Sequence, residues 1–386
     1  MDSREFHSGR KQMSPPSAVP QQRADFNVAL NGYRGICALL VYFYHIGSAR
    51  VLPWPGGNVA NDAFAYVWSS LKYGVEMFFM ISGFVILGSL LRHDSIAGFL
   101  KDRFIRIYSA WVPVLIAVTA VCLVFNLKIV AKLEPLETFG LFLANLFLLP
   151  PVAPLPMIHP VSWSLTYEWV FYLAAALGLL LYRGAPQRRW DKVVWMALAA
   201  LFVCLFPRAL FFLTGVIVFK HQAWFAQHKR WLRWPLLSLV VFLVAWRYTG
   251  VGVAHLSYTM FHMLIDGRWI AALIAFAASL HMFASICLNA SRQFAFLNGK
   301  TFQFLGLISY SFYLWHSLVM SAVKRITPGF LPDGSLVEFA VFAVASLVIG
   351  IAVSWASWAL FEVRVAKMMR RAFARQPVFG RPVGAT

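Results

Sequence analysis

Acidic residues are scarce: the chain of 386 residues has 15 Asp plus Glu against 34 Lys plus Arg, and only 13% of it is charged. An ordinary soluble domain has about 25% charged residues, so this scarcity excludes that class. Cysteine is also rare. The four, Cys37, Cys122, Cys204 and Cys287, lie within apolar stretches and have no metal-ligand spacing, which argues against a disulfide framework and against a structural zinc. No soluble-type internal repeat is present, and no low-complexity tract beyond the two tails. No small-residue cleavage site follows the first apolar stretch, so that stretch reads as a retained helix rather than a signal peptide.

What the chain has in quantity is apolar side chains, at 60% of the residues, with 35 Phe and 15 Trp. Apolar stretches of about twenty residues recur, the length a helix needs to cross a hydrocarbon core roughly 30 Å thick. The expected fold is an all-α polytopic bundle. Ten spans are read at about 28–47, 74–91, 107–126, 162–182, 193–206, 208–221, 236–248, 268–289, 304–323 and 336–361. The stretch "FGLFLANLFLLP", 139–150, is too short to cross and is closed by "PPVAPLPMIHP", so it reads as a re-entrant or interfacial helix.

The net charge of +19 would suit a nucleic-acid binder, but the cations sit in short clusters between apolar spans, where they set membrane orientation instead. With the N-terminus inside, one set of loops holds Arg92, Lys101, Arg103, Arg106, Arg183, Arg189, Lys192, Lys220, Lys229, Arg230 and Arg233, while the other set carries few. Both termini are therefore expected in the cytoplasm, with 1–27 a disordered basic tail, 28–365 the transmembrane domain and 366–386 a second basic tail.

Several polar residues interrupt these spans. Arg34 and His45 are eleven positions apart in "YRGICALLVYFYH", close to three whole helical turns, so they share one helix face about 16 Å apart along the axis. Ionisable residues inside a membrane are costly enough to suggest function, although a snorkelling Arg34 and a core His45 bonded to a carbonyl are the structural alternatives. In "KYGVEMFFMISGFVILGSLL", Glu76 reads as interfacial, and Ser82 with Gly83 reads either as a close-packing step or as part of a site. Ser164 and Glu168 stack on one face of the fourth span. Glu168 is surrounded by aromatic residues and loses solvation that a cation or donors must offset; His45, read into the same outer half, is the expected partner. Arg103 and Arg106, three apart, can fork around phosphate oxygens or serve as plain inside charge. Ser309, Tyr313 and His316 share a face of the ninth span, and Glu362 is expected to pair with Arg364 or another cytoplasmic cation.

The order of these motifs resembles the membrane acyltransferase-3 family. The opening Arg, ten residues and His is present as Arg34 to His45; "GVEMFFMISGFVI" resembles the second-span signature; "FLKDRFIRIYSAW" the arginine loop; "SWSLTYEWVFYL" the Ser-Leu-x-x-Glu span; and "ISYSFYLWHSLV" the Tyr-x-x-Tyr-Leu-x-His span, which sets Tyr310, Tyr313 and His316. The resemblance covers about residues 28 to 365. It implies an integral membrane O-acyltransferase that moves an acyl group, expected to be acetyl, from cytoplasmic acyl-CoA to a hydroxyl of an extracytoplasmic carbohydrate such as lipopolysaccharide or exopolysaccharide. His45 would be the catalytic histidine aligned by Glu168. Arg34, Arg103 and Arg106 would lie nearest the acyl-CoA, and Ser82, Ser164, Tyr310, Tyr313 and His316 would complete the pocket. It further implies a bacterial inner membrane, contact with membrane lipid, a separate periplasmic transfer partner as one route to the acceptor, no metal and no nucleic acid. Asn31 and Tyr33 stand where an Asp and a Leu are more usual, and Ser109 where a proline is common. A proton-coupled transporter or sugar carrier uses the same residue types and is the alternative; it would show matching broken helices in two halves, and none is seen.

Overall fold

The computed structural model describes residues 28–49, 59–183, 189–250, 258–326 and 335–375, and among these residues there are helices and no strands. The whole of the first expected tail, 1–27, and the outer part of the second, 376–386, lie outside the described residues. Chain order runs α1 (Val28–Ala49), α2 (Val59–Ser70), α3 (Gly74–Arg92), α4 (Ile96–Val124), α5 (Pro135–Leu146) and α6 (Trp163–Arg183). It continues with α7 (Arg189–Leu205), α8 (Leu210–Lys220), the short α9 (Gln222–Gln227), α10 (Pro235–Tyr248), the short α11 (Met260–Ile265) and α12 (Trp269–Cys287). The last helices are α13 (Lys300–Ile326) and α14 (Leu336–Ser357), a π-helical segment Trp358–Val365, and α15 (Ala366–Arg375).

Every stretch read as a span is helical, but length and hydropathy establish fewer crossings than ten. Five described stretches are long and apolar enough: Ala63–Arg92, Ile96–Val124, Trp163–Tyr182, Trp269–Cys287 and Leu336–Ala374. A sixth is added if α7 with Pro207–Lys220 is one broken span, because the two turn through 119° at their junction. Pro207 ends α7 there: the residue before a proline is driven out of the α region, and Phe206 sits at φ −124°, ψ 75°. The bundle is thus a multi-pass membrane structure in which two of the stretches read as spans, α8 and α10, have only 11 and 14 residues. α1 and α13, of 22 and 27 residues, fall outside the hydropathy set because they bear the polar residues of the interior.

Small residues let these helices approach. A Cβ on Gly83 would collide with the carbonyl of Phe212, and one on Gly215 with that of Met80, so α3 and α8 cross backbone to backbone. Gly306 meets the carbonyl of Asn31 in the same way and seats α13 on α1, where Asn31 Nδ2 donates to the Gln303 carbonyl at 2.9 Å.

One ion pair is buried in this packing. Glu76, expected at an interface, is fully enclosed; Arg208 Nη2 donates to its Oε2 at 2.9 Å and Trp246 Nε1 to its Oε1 at 2.9 Å. The Arg208 guanidinium also lies 4.4 Å from the centre of the Trp163 ring. The reason is topological: the short break at Pro207–Ala209 carries Arg208 back to α3.

The 139–150 region forms α5, twelve residues long, which at about 1.5 Å per residue reaches well short of a core crossing. Pro135 at its first turn and the reciprocal caps of Glu134 and Glu137 start it. Asn145 then ties down the proline-rich loop: its Nδ2 donates to the Pro156 carbonyl at 3.1 Å and its Oδ1 accepts from the Ile158 N–H at 3.0 Å. Residues 366–375, expected within a basic tail, form α15, which carries Lys367, Arg370 and Arg371.

Candidate active site

Four long helices, α1, α3, α4 and α6, meet α13 around a narrow cavity of about 50 Å³, lined among others by Arg34, Ser82, Arg106, Ser164, Glu168 and Tyr310, with Tyr313 at its edge. Of the residues expected in the site, these seven are brought together. The even choice at Ser82 and Gly83 divides between them: Gly83 makes the close crossing, while Ser82 Oγ donates to Glu168 Oε1 at 2.8 Å.

Glu168 is held on a second side by Tyr172, one turn further along α6, whose hydroxyl donates to the same carboxylate oxygen. Arg34, Arg103 and Arg106 lie within electrostatic range of this carboxylate, yet among the described residues none forms an ion pair with it. The Glu168 carboxylate, expected to align the His45 ring, is bonded instead to Ser82 and Tyr172, and among the described residues no hydrogen bond joins it to His45. Ser164 and Tyr313 are 2.8 Å from each other and the Tyr313 ring adjoins His316, whereas Glu168 also lines a smaller cavity with Arg34, Arg106 and Tyr172 that neither Ser164 nor Tyr313 lines. One helical turn separates Ser164 from Glu168, and that turn takes the carboxylate away from the histidine.

Arg34 and Arg106 present their guanidiniums to the cavity from α1 and α4. Arg103 lies outside that lining: its Nε and Nη1 are buried without partners, Nη2 reaches Ser89 Oγ at 3.4 Å, and the group lies 5.8 Å from the Phe99 ring centre. α4 starts at Ile96, so both arginines are well inside the helix rather than at its beginning. Tyr310 donates to the Ile107 carbonyl at 3.0 Å and fixes α13 against α4.

Of the partners expected for Glu362, Arg364 or another cation, Arg364 is exposed, and the Glu362 carboxylate turns inward. It accepts from Ser311 Oγ at 2.6 Å and lies within electrostatic range of Arg34 and Arg106. Two carboxylates, Glu168 and Glu362, thus flank two arginines. Tyr172 was legible as the i+4 neighbour of Glu168, whereas nothing in the pattern around Glu362 signals the π-helical turn that redirects it.

His45 and His316 stand outside the cavity lining, beyond Tyr313. Their ring centres are 5.0 Å apart, and the Tyr313 ring centre is 6.0 Å from that of His316. His159, on the loop before α6, lies within electrostatic range of both. It stacks on Trp111 with ring centres 6.0 Å apart and planes 9° from parallel. The sequence assigned His159 no role; it stands near the end of the proline-rich stretch "PPVAPLPMIHP". Among the described residues no group of three His, Cys, Asp or Glu is placed to hold a metal ion.

Chemically, the arrangement has two ends joined by α1. One end has guanidiniums facing a cavity with hydroxyl-held carboxylates around them, suited to an anionic group. The other has a neutral-capable base among imidazoles, suited to proton removal from a hydroxyl.

A family model described as an acyltransferase domain matches residues 27–359. The acyltransferase MdmB of Streptomyces mycarofaciens is 27% identical over 388 residues, covering 93% of this chain and 95% of that protein. The exopolysaccharide production protein ExoZ of Rhizobium meliloti is 29% identical over 267 residues, covering 65% of this chain and 77% of that protein. No solved structure is significantly similar to the chain.

Proposed function

The chain belongs to the acyltransferase domain family, and from that premise we propose that it moves an acyl group, acetyl in the simplest case, from cytoplasmic acyl-CoA to a hydroxyl of a carbohydrate beyond the membrane. The observation that carries this reading is the shared cavity of Arg34 and Arg106 below His45 on the same helix. Acyl-CoA has phosphates at one end, a thioester at the other and a flexible arm between them, which matches cations and base about 16 Å apart along α1. Arg103, Arg106 and Arg34 bind the donor's anionic groups and His45 takes the proton of the attacking hydroxyl. Glu168 and Glu362 balance the charge of the arginine pair at a distance rather than holding the histidine.

A carbohydrate acceptor is favoured by the relative ExoZ, whose name ties it to exopolysaccharide production, and by the aromatic residues around the upper cavity. The membrane in question would be a bacterial inner membrane with both termini inside, and a separate periplasmic protein remains one route by which the acyl group reaches its final acceptor.

The test uses purified protein in liposomes with radiolabelled acetyl-CoA on one face and surface glycans on the other, comparing wild type with His45→Ala. Label in glycan from the wild type, falling about a hundredfold or more in the variant at equal insertion, supports the enzyme and its sidedness together. If acetyl-CoA is neither bound nor consumed across a broad range of glycans, the donor assignment fails and solute uptake becomes the activity to assay.

A further inference from the structure

A general base needs its remote ring nitrogen held, so that the other presents a lone pair to the substrate. Glu168 does not do this for His45, and the ring that abuts His45 is that of His316. His316 is 1% exposed, and its Nδ1 stands 2.7 Å from the Tyr313 carbonyl. A carbonyl only accepts, so Nδ1 carries the proton and Nε2 is left as a bare acceptor; that Nε2 is buried and has no partner. The same argument applies to His159, also 1% exposed: its Nε2 donates to the Leu314 carbonyl at 2.8 Å and its Nδ1 is buried without a partner. Two neighbouring backbone carbonyls of α13 thus set both tautomers. Each buried ring shows a lone pair and no spare N–H.

The separation of the rings fits a bond between them. An N–H···N contact of about 2.9 Å made edge to edge puts two imidazole centres roughly 5 Å apart, and the His45 and His316 centres are 5.0 Å apart. The ring planes stand 46° apart, and a turn of the His45 ring about its own side chain would direct an N–H to the bare nitrogen. Around the pair stand Tyr44, Phe312 and Tyr313, so neither a carboxylate nor a lysine competes for the bare nitrogen among these contacts.

We propose that His316 is the positioning residue for His45, accepting its ring N–H at Nε2 so that the opposite nitrogen of His45 faces the acceptor hydroxyl, with His159 as a second buried acceptor beside the pair. The inference rests on the acyl-transfer reading above. In the step itself the hydroxyl proton passes to the free nitrogen of His45, the hydroxyl oxygen bonds to the thioester carbonyl carbon, and the carbon–sulfur bond breaks. The CoA sulfur leaves with the proton returned from His45. While that proton resides on His45, the N–H held by His316 becomes charge-assisted and strengthens, which favours the proton-transfer step over substrate binding. A neutral imidazole partner also leaves His45 uncharged at rest, the state a base requires.

The experiment uses full-length protein in liposomes with His316→Leu, His316→Gln and His316→Asn. A Gln amide oxygen reaches the position of Nε2, and an Asn amide stops near Nδ1. His316→Leu is expected to lower kcat about a hundredfold with donor KM within about twofold, His316→Gln to recover at least about tenfold of that loss, and His316→Asn to recover none. A second readout needs no turnover: the rate at which diethyl pyrocarbonate modifies His45, followed by peptide mass spectrometry, falls severalfold in His316→Leu and returns in His316→Gln. Equal kcat and equal His45 reactivity in all three variants overturns the proposal, as does loss shared alike by Gln and Asn together with a lowered Tm. If the wild type transfers no label, the acyl-transfer reading fails, and the reactivity of His45 still decides whether His316 holds it.

Discussion

A carboxylate in hydrocarbon must be matched by a cation or by donors, and three acids inside the bundle are matched differently. Glu76 has Arg208 and Trp246, Glu168 has Ser82 and Tyr172, and Glu362 has Ser311. Only the first is a closed ion pair, so Glu76→Gln leaves the Arg208 charge enclosed without its partner. A loss of about 3 kcal/mol or more is expected, read as a lower Tm in detergent with activity per folded molecule unchanged. Arg34 answers to a different measurement. Arg34→Ala should raise the KM for acyl-CoA by about tenfold or more while Tm changes little, because its guanidinium has no carboxylate bonded to it that removal would strand. Helical spacing made Arg34, His45, Ser164 and Glu168 legible as site residues. It left their partners open: the side of a helix is local information, and what faces it is decided by how helices far apart in the chain are packed. Glu76 read as interfacial for that reason, since Arg208 lies 132 positions away.

At the scale of elements, the breaks were more legible than the crossings. Pro207 divides α7 from α8 where the sequence reading divided two spans, and Pro135 with Glu137 opens α5. The π-helical segment was not legible, because a wider turn leaves no mark in the apolar pattern; yet Trp358–Val365 is what turns Glu362 toward the arginines. The link between site and scaffold runs through α3, where adjacent residues do separate work: Ser82 bonds Glu168 and Gly83 meets the backbone of α8. Gly83→Ala should therefore push α8 away and loosen Ser82 as well. The expected cost is about 2 kcal/mol or more, with transfer activity falling alongside Tm. Gly140→Ala on α5, where a Cβ meets nothing within 4 Å, should leave both unchanged or raise Tm slightly, as alanine favours helix. Equal melting of the two variants would remove the backbone crossing from the explanation.

For the whole molecule, charge and site direction describe one orientation. The helix ends and links around the α3–α4 and α8–α10 junctions carry Arg92, Lys101, Lys220, Lys229, Arg230 and Arg233, against Lys128 and Lys132 after α4. By the positive-inside rule, the proposed orientation has the first set in the cytoplasm. In that proposed orientation Arg34 would lie toward the cytosol and His45 away from it, the order that the proposed cytosolic CoA thioester and external acceptor require. The orientation is testable without any activity. In a variant freed of Cys37, Cys122, Cys204 and Cys287, a single cysteine replacing Asp94 or Lys229 should react with a membrane-impermeant maleimide only after cells are opened, and one replacing Lys128 before. Those sites are chosen because Asp94 and Lys128 bracket α4, one of the five stretches whose length and hydropathy suffice for a crossing. Labelling of Asp94 and Lys128 from the same side would mean that α4 does not cross, and the path from Arg34 to His45 would then run along the membrane rather than through it. Labelling from opposite sides but in the reverse order would keep the bundle and invert the chemistry, placing the arginines where no CoA is available.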